Sequence, residues 1–253
     1  MRKGRDPKPA PESPPSSAPP KAERKSLASS TPSSTAFVDL SHVIEHGMVT
    51  FRGLPAPMIS DQLGRQQSRS VYAEGTEFQI GHISMVATTG TYVDTPWHRY
   101  EHGQDLAEID LPSVANLPGV VVRASGHQSI GPELFSGLEL SGKAVLIHTD
   151  WAKHWRTPKY FDSHPFLTEA AAQLLVEEGP ALVGIDALNI DDSRDLKRPV
   201  HSLLLAVGII IAEHLCKLEA LPNTGFRFFA VPAKVRGMGS WPVRAFAIID
   251  PSA

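Results

Sequence analysis

The chain has 253 residues, 42% hydrophobic and 20% charged, with a formal net charge of −3; that balance is globular and supplies apolar material for one sizeable core. Residues 1–35 carry seven Lys or Arg against three acids, so the rest of the chain stands near −7, which argues against a nucleic-acid-binding face. The longest apolar run, residues 203–212, falls short of the roughly 18 residues of a membrane span, and the single Cys216 excludes an internal disulfide and a thiolate zinc cluster.

Residues 1–35 hold eight prolines, eight serines and no aromatic residue, the composition of a disordered tail. Their text, KPAPESPPSSAPPKAERK, lacks the apolar stretch of a secretory signal, so a soluble, cytoplasmic protein is expected. From Phe37 onward short β-rich runs alternate with loops, and strands are predicted over 37–40, 77–86, 120–123, 144–148, 182–185, 209–213, 226–232 and 243–249. Thr168 is placed to cap a helix over 169–178, with Glu169 at its positive end and Gly179-Pro180 stopping it. A second helix is predicted from Pro199, a residue suited to a first turn, through Val207 to Gly208. Strands with interspersed helices predict a single α/β domain over 36–253, built on a mixed sheet with flanking helices. There is no P-loop, no G-x-G-x-x-G and no G-x-S-x-G, so nucleotide binding and serine-hydrolase chemistry have no support. Cys216 is expected to be a buried, inert thiol.

The segment Thr88-Thr89-Gly90-Thr91-Tyr92-Val93-Asp94-Thr95-Pro96-Trp97-His98 sets a carboxylate and an imidazole four residues apart beside a glycine turn and a proline, which suits a rigid pocket wall. Downstream, His201 begins the second helix and Glu213 ends the following strand, so helix and strand can return the carboxylate to the imidazole. Asp94, His201 and Glu213 thus form a candidate N/O metal set. Each also has a plain structural reading: His98 on a surface loop, His201 at a helix start, Glu213 as a partner for Lys217 or His214, and Asp94 capping a turn.

This segment resembles the H-x-G-T-H-x-D-x-P-x-H signature of the cyclase family, which includes kynurenine formamidases, isatin hydrolase and some polyketide cyclases. DLSHVIEHGM is similar to the family's opening strand, LIHTDWAKHW to its L-I-x-T-G-W segment with Asp150 at the glycine, and LVGIDALNID to its G-I-D strand. The spacing from His201 to Glu213 matches the family's second metal pair, and the resemblance covers nearly all of residues 36–253. It implies a swivelling β/β/α-like fold, one divalent metal ion (Zn or Mn), a small-molecule substrate, and homodimers or homotetramers. It also departs from the pattern: Thr88 and Tyr92 stand where the family has its first two histidines. By position, Asp94, His201 and Glu213 correspond to the second metal site of the two-zinc formamidases, and His98 to the acid/base histidine. Three protein ligands and a water are sufficient for a catalytic zinc. His82, His148 and His154 are weak candidates to replace the missing pair; His82 lies about 20 Å from Thr88 along an extended strand.

The resemblance implies a metal-dependent hydrolase of an amide, lactam or lactone bond, with His98 shuttling the proton and Tyr92 or Thr91 holding the oxyanion. Tyr92 has a second reading, as an aromatic filling the volume of an absent metal. Phe51 and Trp97 fall in segments that border the family's pocket, which points to an aromatic substrate, although both also suit a core or interface. Leu54 stands where an aspartate is common in the formamidases, a departure that bears on specificity. Two alternatives stay open. One is a polyketide cyclase or dehydratase using His98 and Asp94. The other is a metal-free binding protein on the same fold.

Overall fold

The computed structural model describes residues 36–249, all within one compact unit; the tail over 1–35, and the disorder expected of it, lie outside the described residues. Thirteen strands are present among them. In chain order they are β1 (Ala36–Asp39), β2 (Met58–Leu63), β3 (Ile80–Ser84), β4 (Tyr92–Asp94), β5 (Leu117–Arg123), β6 (Ser129–Ile130), β7 (Ala144–His148), β8 (Phe166–Leu167), β9 (Leu182–Ile185), β10 (Ile210–Glu213), β11 (Phe226–Phe229), β12 (Ser240–Pro242) and β13 (Phe246–Ile249). The helices are α1 (Arg65–Ser68), α2 (Glu169–Glu178) and α3 (Pro199–Ala206).

Nine strands form one mixed sheet in the order β1-β13-β11-β5-β7-β9-β10-β4-β12. The central ladder β5-β7-β9-β10 is parallel and both flanks are antiparallel. Parallel strands covered on both faces read as unbroken apolar runs, and AVLIH and LVGI are such runs. Val145, Ile147, Val183, Ile185 and Ile211 turn to one core with Ala171, Ala172 and Leu175 of α2 and Leu204 and Leu205 of α3. Leu146, Leu182, Ile210 and Ala212 turn to the other core, which Phe228 of β11 and Val93 of β4 both enter. Those two strands are five places apart, about 24 Å if the sheet were flat, so the sheet curls over its second core.

The predicted strands reappear with shifted ends. The run over 77–86 shortens to β3, which pairs with β2, a half-polar segment not predicted as a strand. This two-stranded arm exposes Met58, Ile59, Ile80 and Ile83. The run over 243–249 shortens to β13, and β12 forms a separate strand before it. Thr168 Oγ1 accepts from the Ala171 amide at 3.1 Å, and Gly179 closes α2 with φ 65°, as its sequence predicts. Asp150 adopts φ 66°, the left-handed conformation for which glycine is the usual choice. The neighbouring amides of Thr149 and Asp150 are held by the Asp186 carboxylate at 2.8 and 3.0 Å, which ties the L-I-x-T-G-W-like segment to the G-I-D strand.

Candidate metal centre

β4 lies between β10 and β12, and this register builds the site. Tyr92 sits directly across from Glu213 on one side, and Asp94 across from Ser240 on the other. Directly opposed residues share a face, so the four polar side chains converge while Val93 and Ala212 between them enter the core. Gly90, at φ 71°, makes the turn into β4. Beyond Asp94 the chain winds into a single 3₁₀ turn, Pro96–His98, clamped by two glycines. A Cβ on Gly239 would fall 2.2 Å from the His98 backbone nitrogen, and one on Gly103 would fall 2.6 Å from the Pro96 carbonyl carbon.

His201 enters from the first turn of α3. Asp191 accepts from the backbone amides of Val200 at 2.7 Å and His201 at 3.1 Å, so it caps this helix in place of Arg198, which offers no capping side chain. The same carboxylate binds His201 Nδ1 at 2.6 Å. This leaves His201 Nε2 facing Asp94 Oδ2 at 3.6 Å and Glu213 Oε1 at 3.7 Å. A carboxylate on the far nitrogen of an imidazole is the usual support of a metal-ligating histidine. The Ser240 hydroxyl donates to Asp94 Oδ1 and meets His98 Nδ1 at 2.9 Å. Its one proton goes to the aspartate, so it accepts from His98 Nδ1–H, and that assignment leaves Nε2 of neutral His98 bare.

Asp94, His98 and His201 each offer a ligand atom within 4.8 Å of the others, the one such group among the described residues. Asp94 Oδ2 is buried with no hydrogen-bond partner. An orphaned carboxylate oxygen costs several kcal/mol unless a cation meets it, so this donor set fits a divalent ion. Glu213 is within reach, but its oxygens already accept from the Ile190 amide at 2.6 Å, from Tyr92 and from Asn189.

Burial would push the His201 imidazole down, but Asp191, Asp94 and Glu213 outweigh it and push it up to about 10. The Asp94 carboxyl is raised by burial and lowered more by His201, His98 and Ser240, so it stays below its ordinary value. Glu213 is pushed up, chiefly by burial. These shifts favour an imidazolium at His201 that offsets part of the carboxylates' charge, and a divalent ion held there would take the place of that proton.

The remaining predicted residues are placed differently. Thr91 Oγ1 donates to the His214 carbonyl at 2.5 Å and accepts from the His42 amide at 3.0 Å, so its proton is spent on the segment after β10 and not on an oxyanion, while its oxygen ties in the opening segment. Tyr92 is buried and donates to Glu213, filling space at the cavity wall beside that carboxylate. Trp97 stands on the surface, outside the cavity wall: neighbours in a 3₁₀ turn point about 120° apart, so where His98 faces inward Trp97 does not. Phe51, Leu54, Thr88, Tyr92, His98 and His201 line one cavity of about 330 Å³. Thr88 and Tyr92 thus do face a common pocket. His82 sits on the arm, and His148 Nδ1 lies 3.2 Å from Arg123, so neither joins the site. Cys216 is buried, and burial pushes its thiol up to about 11. Asp191, Ser240 and Asn189 were not anticipated; the signal for Asp191 was a helix start at Pro199 with no capping residue before it.

A family model described as a putative cyclase matches residues 38–192. The kynurenine formamidase of Bacillus cytotoxicus is 26% identical over 213 residues, covering 84% of this chain and 97% of that protein. Isatin hydrolase A from Labrenzia aggregata, bound to benzyl benzoate, superposes with a TM-score of 0.72 at 23% identity, over 85% of this chain and 94% of that one. A predicted metal-dependent hydrolase from Bacillus stearothermophilus gives 0.64 at 26% identity, over 85% and 98%.

Proposed function

The chain belongs to the putative cyclase family, and from that premise we propose that it is a metal-dependent hydrolase of an amide, lactam or lactone bond in a small aromatic substrate. The observation that carries this reading is Asp94 Oδ2, buried without a partner and 3.6 Å from His201 Nε2. The kinship with a kynurenine formamidase, and the fold shared with an isatin hydrolase, support a C–N bond as the target.

Asp94 and His201 would hold the ion, with Glu213 completing the set; oxygen and imidazole donors of this kind suit Zn or Mn. A divalent ion there supplies Lewis-acid polarisation and a nucleophile at neutral pH. Asp191 keeps the His201 ring in orientation. His98, its Nδ1 anchored on Ser240, presents a bare Nε2 that takes a proton from water and returns it to the leaving nitrogen or oxygen. The oxygen of that water bonds to the carbonyl carbon, the C–N or C–O bond breaks, and the products are a carboxylic acid and an amine or alcohol. Phe51 and Leu54 offer the cavity's apolar wall to a ring. The oxyanion role expected of Thr91 and Tyr92 is not carried forward, because both hydroxyl protons are already given away.

Metal analysis of chain purified without chelator tests this reading. Wild type should carry a single divalent ion and cleave formanilide. Asp94→Ala and His201→Ala should lose both metal and activity, and Thr88→Ala should keep the metal. Full metal occupancy in His201→Ala would overturn it. Assembly into dimers or tetramers belongs to the same proposal, supported by the exposed apolar face of the β2–β3 arm. Light scattering should show an oligomer that Ile59→Ser with Ile83→Ser dissociates.

A further inference from the structure

The mouth of the cavity carries a charge that the chemistry within does not need. Arg99, Lys197 and Arg198 all line it, together with the apolar Phe51, Leu54 and Leu196, and no carboxylate does. None of the three cations forms an ion pair with a described residue. Elsewhere on the surface Arg52, Arg69, Arg156, Arg194 and Arg244 each lie against a carboxylate. On a body whose net charge is near −7, three unpaired cations converging on one opening make a local reversal of the field, and such a reversal selects and concentrates anions.

Two of the three are held in position. Arg198 has φ 50°, a conformation rarely kept by a non-glycine residue without cause. Its Nη1 donates to Asn189 Oδ1 at 3.2 Å, and Asn189 Nδ2 donates to Glu213 Oε2 at 3.4 Å, so the guanidinium is tethered to the site's own framework. Arg99 is fixed by Nε donating to Ser202 Oγ at 3.2 Å and lies over the Tyr100 ring at 5.2 Å. In each guanidinium the remaining N–H groups have no partner among the described residues. Pre-oriented guanidinium forks of this kind match a carboxylate. Lys197, next to Arg198 in sequence, adds a point charge: its backbone is held by Asp195 at 2.9 Å and Ser202 at 3.5 Å, and its Nζ has no partner among the described residues.

We propose that the substrate is an anion: a single-ring amide or lactone whose carboxylate is bound by Arg99, Lys197 and Arg198 while its reacting carbonyl faces Asp94, His98 and His201. This rests on the hydrolase reading of the same site and adds to it the charge and orientation of what is bound. A cavity of about 330 Å³ is at the small end for ligand sites, which suits one ring and its substituents.

The test compares 4-formamidobenzoate with neutral formanilide on the metal-loaded full chain. Wild type should show kcat/KM at least about tenfold higher for the anion, equivalent to about 1.4 kcal/mol. Lys197→Gln and Arg99→Gln should each raise KM for 4-formamidobenzoate by about three- to tenfold with kcat little changed, and leave formanilide untouched. Both residues are exposed, so folding is not at risk. Salt at 0.5 M should erase most of the preference. Equal kcat/KM for the two probes, or equal losses on both in the variants, would overturn the proposal. Should neither probe be cleaved, the hydrolase reading has failed separately, and equilibrium binding of benzoate against benzamide decides. Tighter benzoate binding that is lost in the Lys197→Gln, Arg99→Gln double variant upholds the anion site; indifference to charge overturns it.

Discussion

Asp191 does not line the cavity, yet it binds the His201 ring and the first two amides of α3 with one carboxylate. Asp191→Asn keeps only one of the two cap acceptors, since its NH₂ cannot accept a backbone N–H, and withdraws the negative charge that makes the imidazole a good donor. Metal affinity should fall by about 10- to 100-fold, read by competition against a chromophoric chelator, with a loss of stability of only about 1 kcal/mol from the weakened cap. Unchanged affinity would show that the ring is oriented by packing alone. At this scale Asp94, His98, His201 and Glu213 were legible, because a motif of fixed spacing carries them. Ser240 was not: it is 146 residues from Asp94 and meets it only through strand pairing. The bonds of the Thr91 and Tyr92 hydroxyls were likewise not legible, since a hydroxyl's availability depends on neighbours that the sequence does not name.

Among the elements, α2 was the most legible, because its cap, its stripe and its glycine stop are all local. β4 and β12 have three residues each, too few for an alternation to register, and they are held as strands by pairing with each other and, for β4, with β10. The glycine clamp on the 3₁₀ turn is likewise a tertiary fact. Gly239→Ala must push against backbone, not a flexible side chain, so overpacking should cost about 1–3 kcal/mol. The His98 ring should shift with it, and kcat should drop on the order of 10- to 100-fold. Urea midpoints and single-substrate kinetics on the same sample check both. Wild-type kcat in a destabilised protein would mean that the turn yields elsewhere and His98 stays put.

For the whole molecule, acid sensitivity follows from histidines buried without charge compensation. His42 stacks on Trp155 at 4.0 Å with Nε2 unpartnered, and burial, with His214 and Lys217 nearby, pushes its pKa down to about 3. The unfolded chain, with an ordinary value of 6.5, binds the proton first. Stability is therefore fully present above about pH 6.5 and declines as pH falls, by about 2 kcal/mol between 6.5 and 5 from His42 alone. His214, pushed down to about 4, acts in the same direction. His42→Phe, which keeps the stacking, should lessen the slope of unfolding free energy against pH without abolishing it; a slope equal to wild type would place the acid sensitivity elsewhere. The mixed α/β architecture was legible from its apolar parallel core. The curl was not, because it depends on which distant strands share a core.

Tyr92 against Glu213 and Asp94 against Ser240 have a genetic corollary. The two faces of these strands differ by one residue of phase, so losing a single codon from β10 or β12 would exchange site-facing and core-facing side chains along that strand. Point substitutions can drift through this region one contact at a time, whereas a one-residue change of length replaces the β10 carboxylate by alanine, or the β12 serine by tryptophan, in a single step. Natural variation in length should therefore accumulate in the loops around the centre, and lineages that diverge in activity should keep these three short strands in frame.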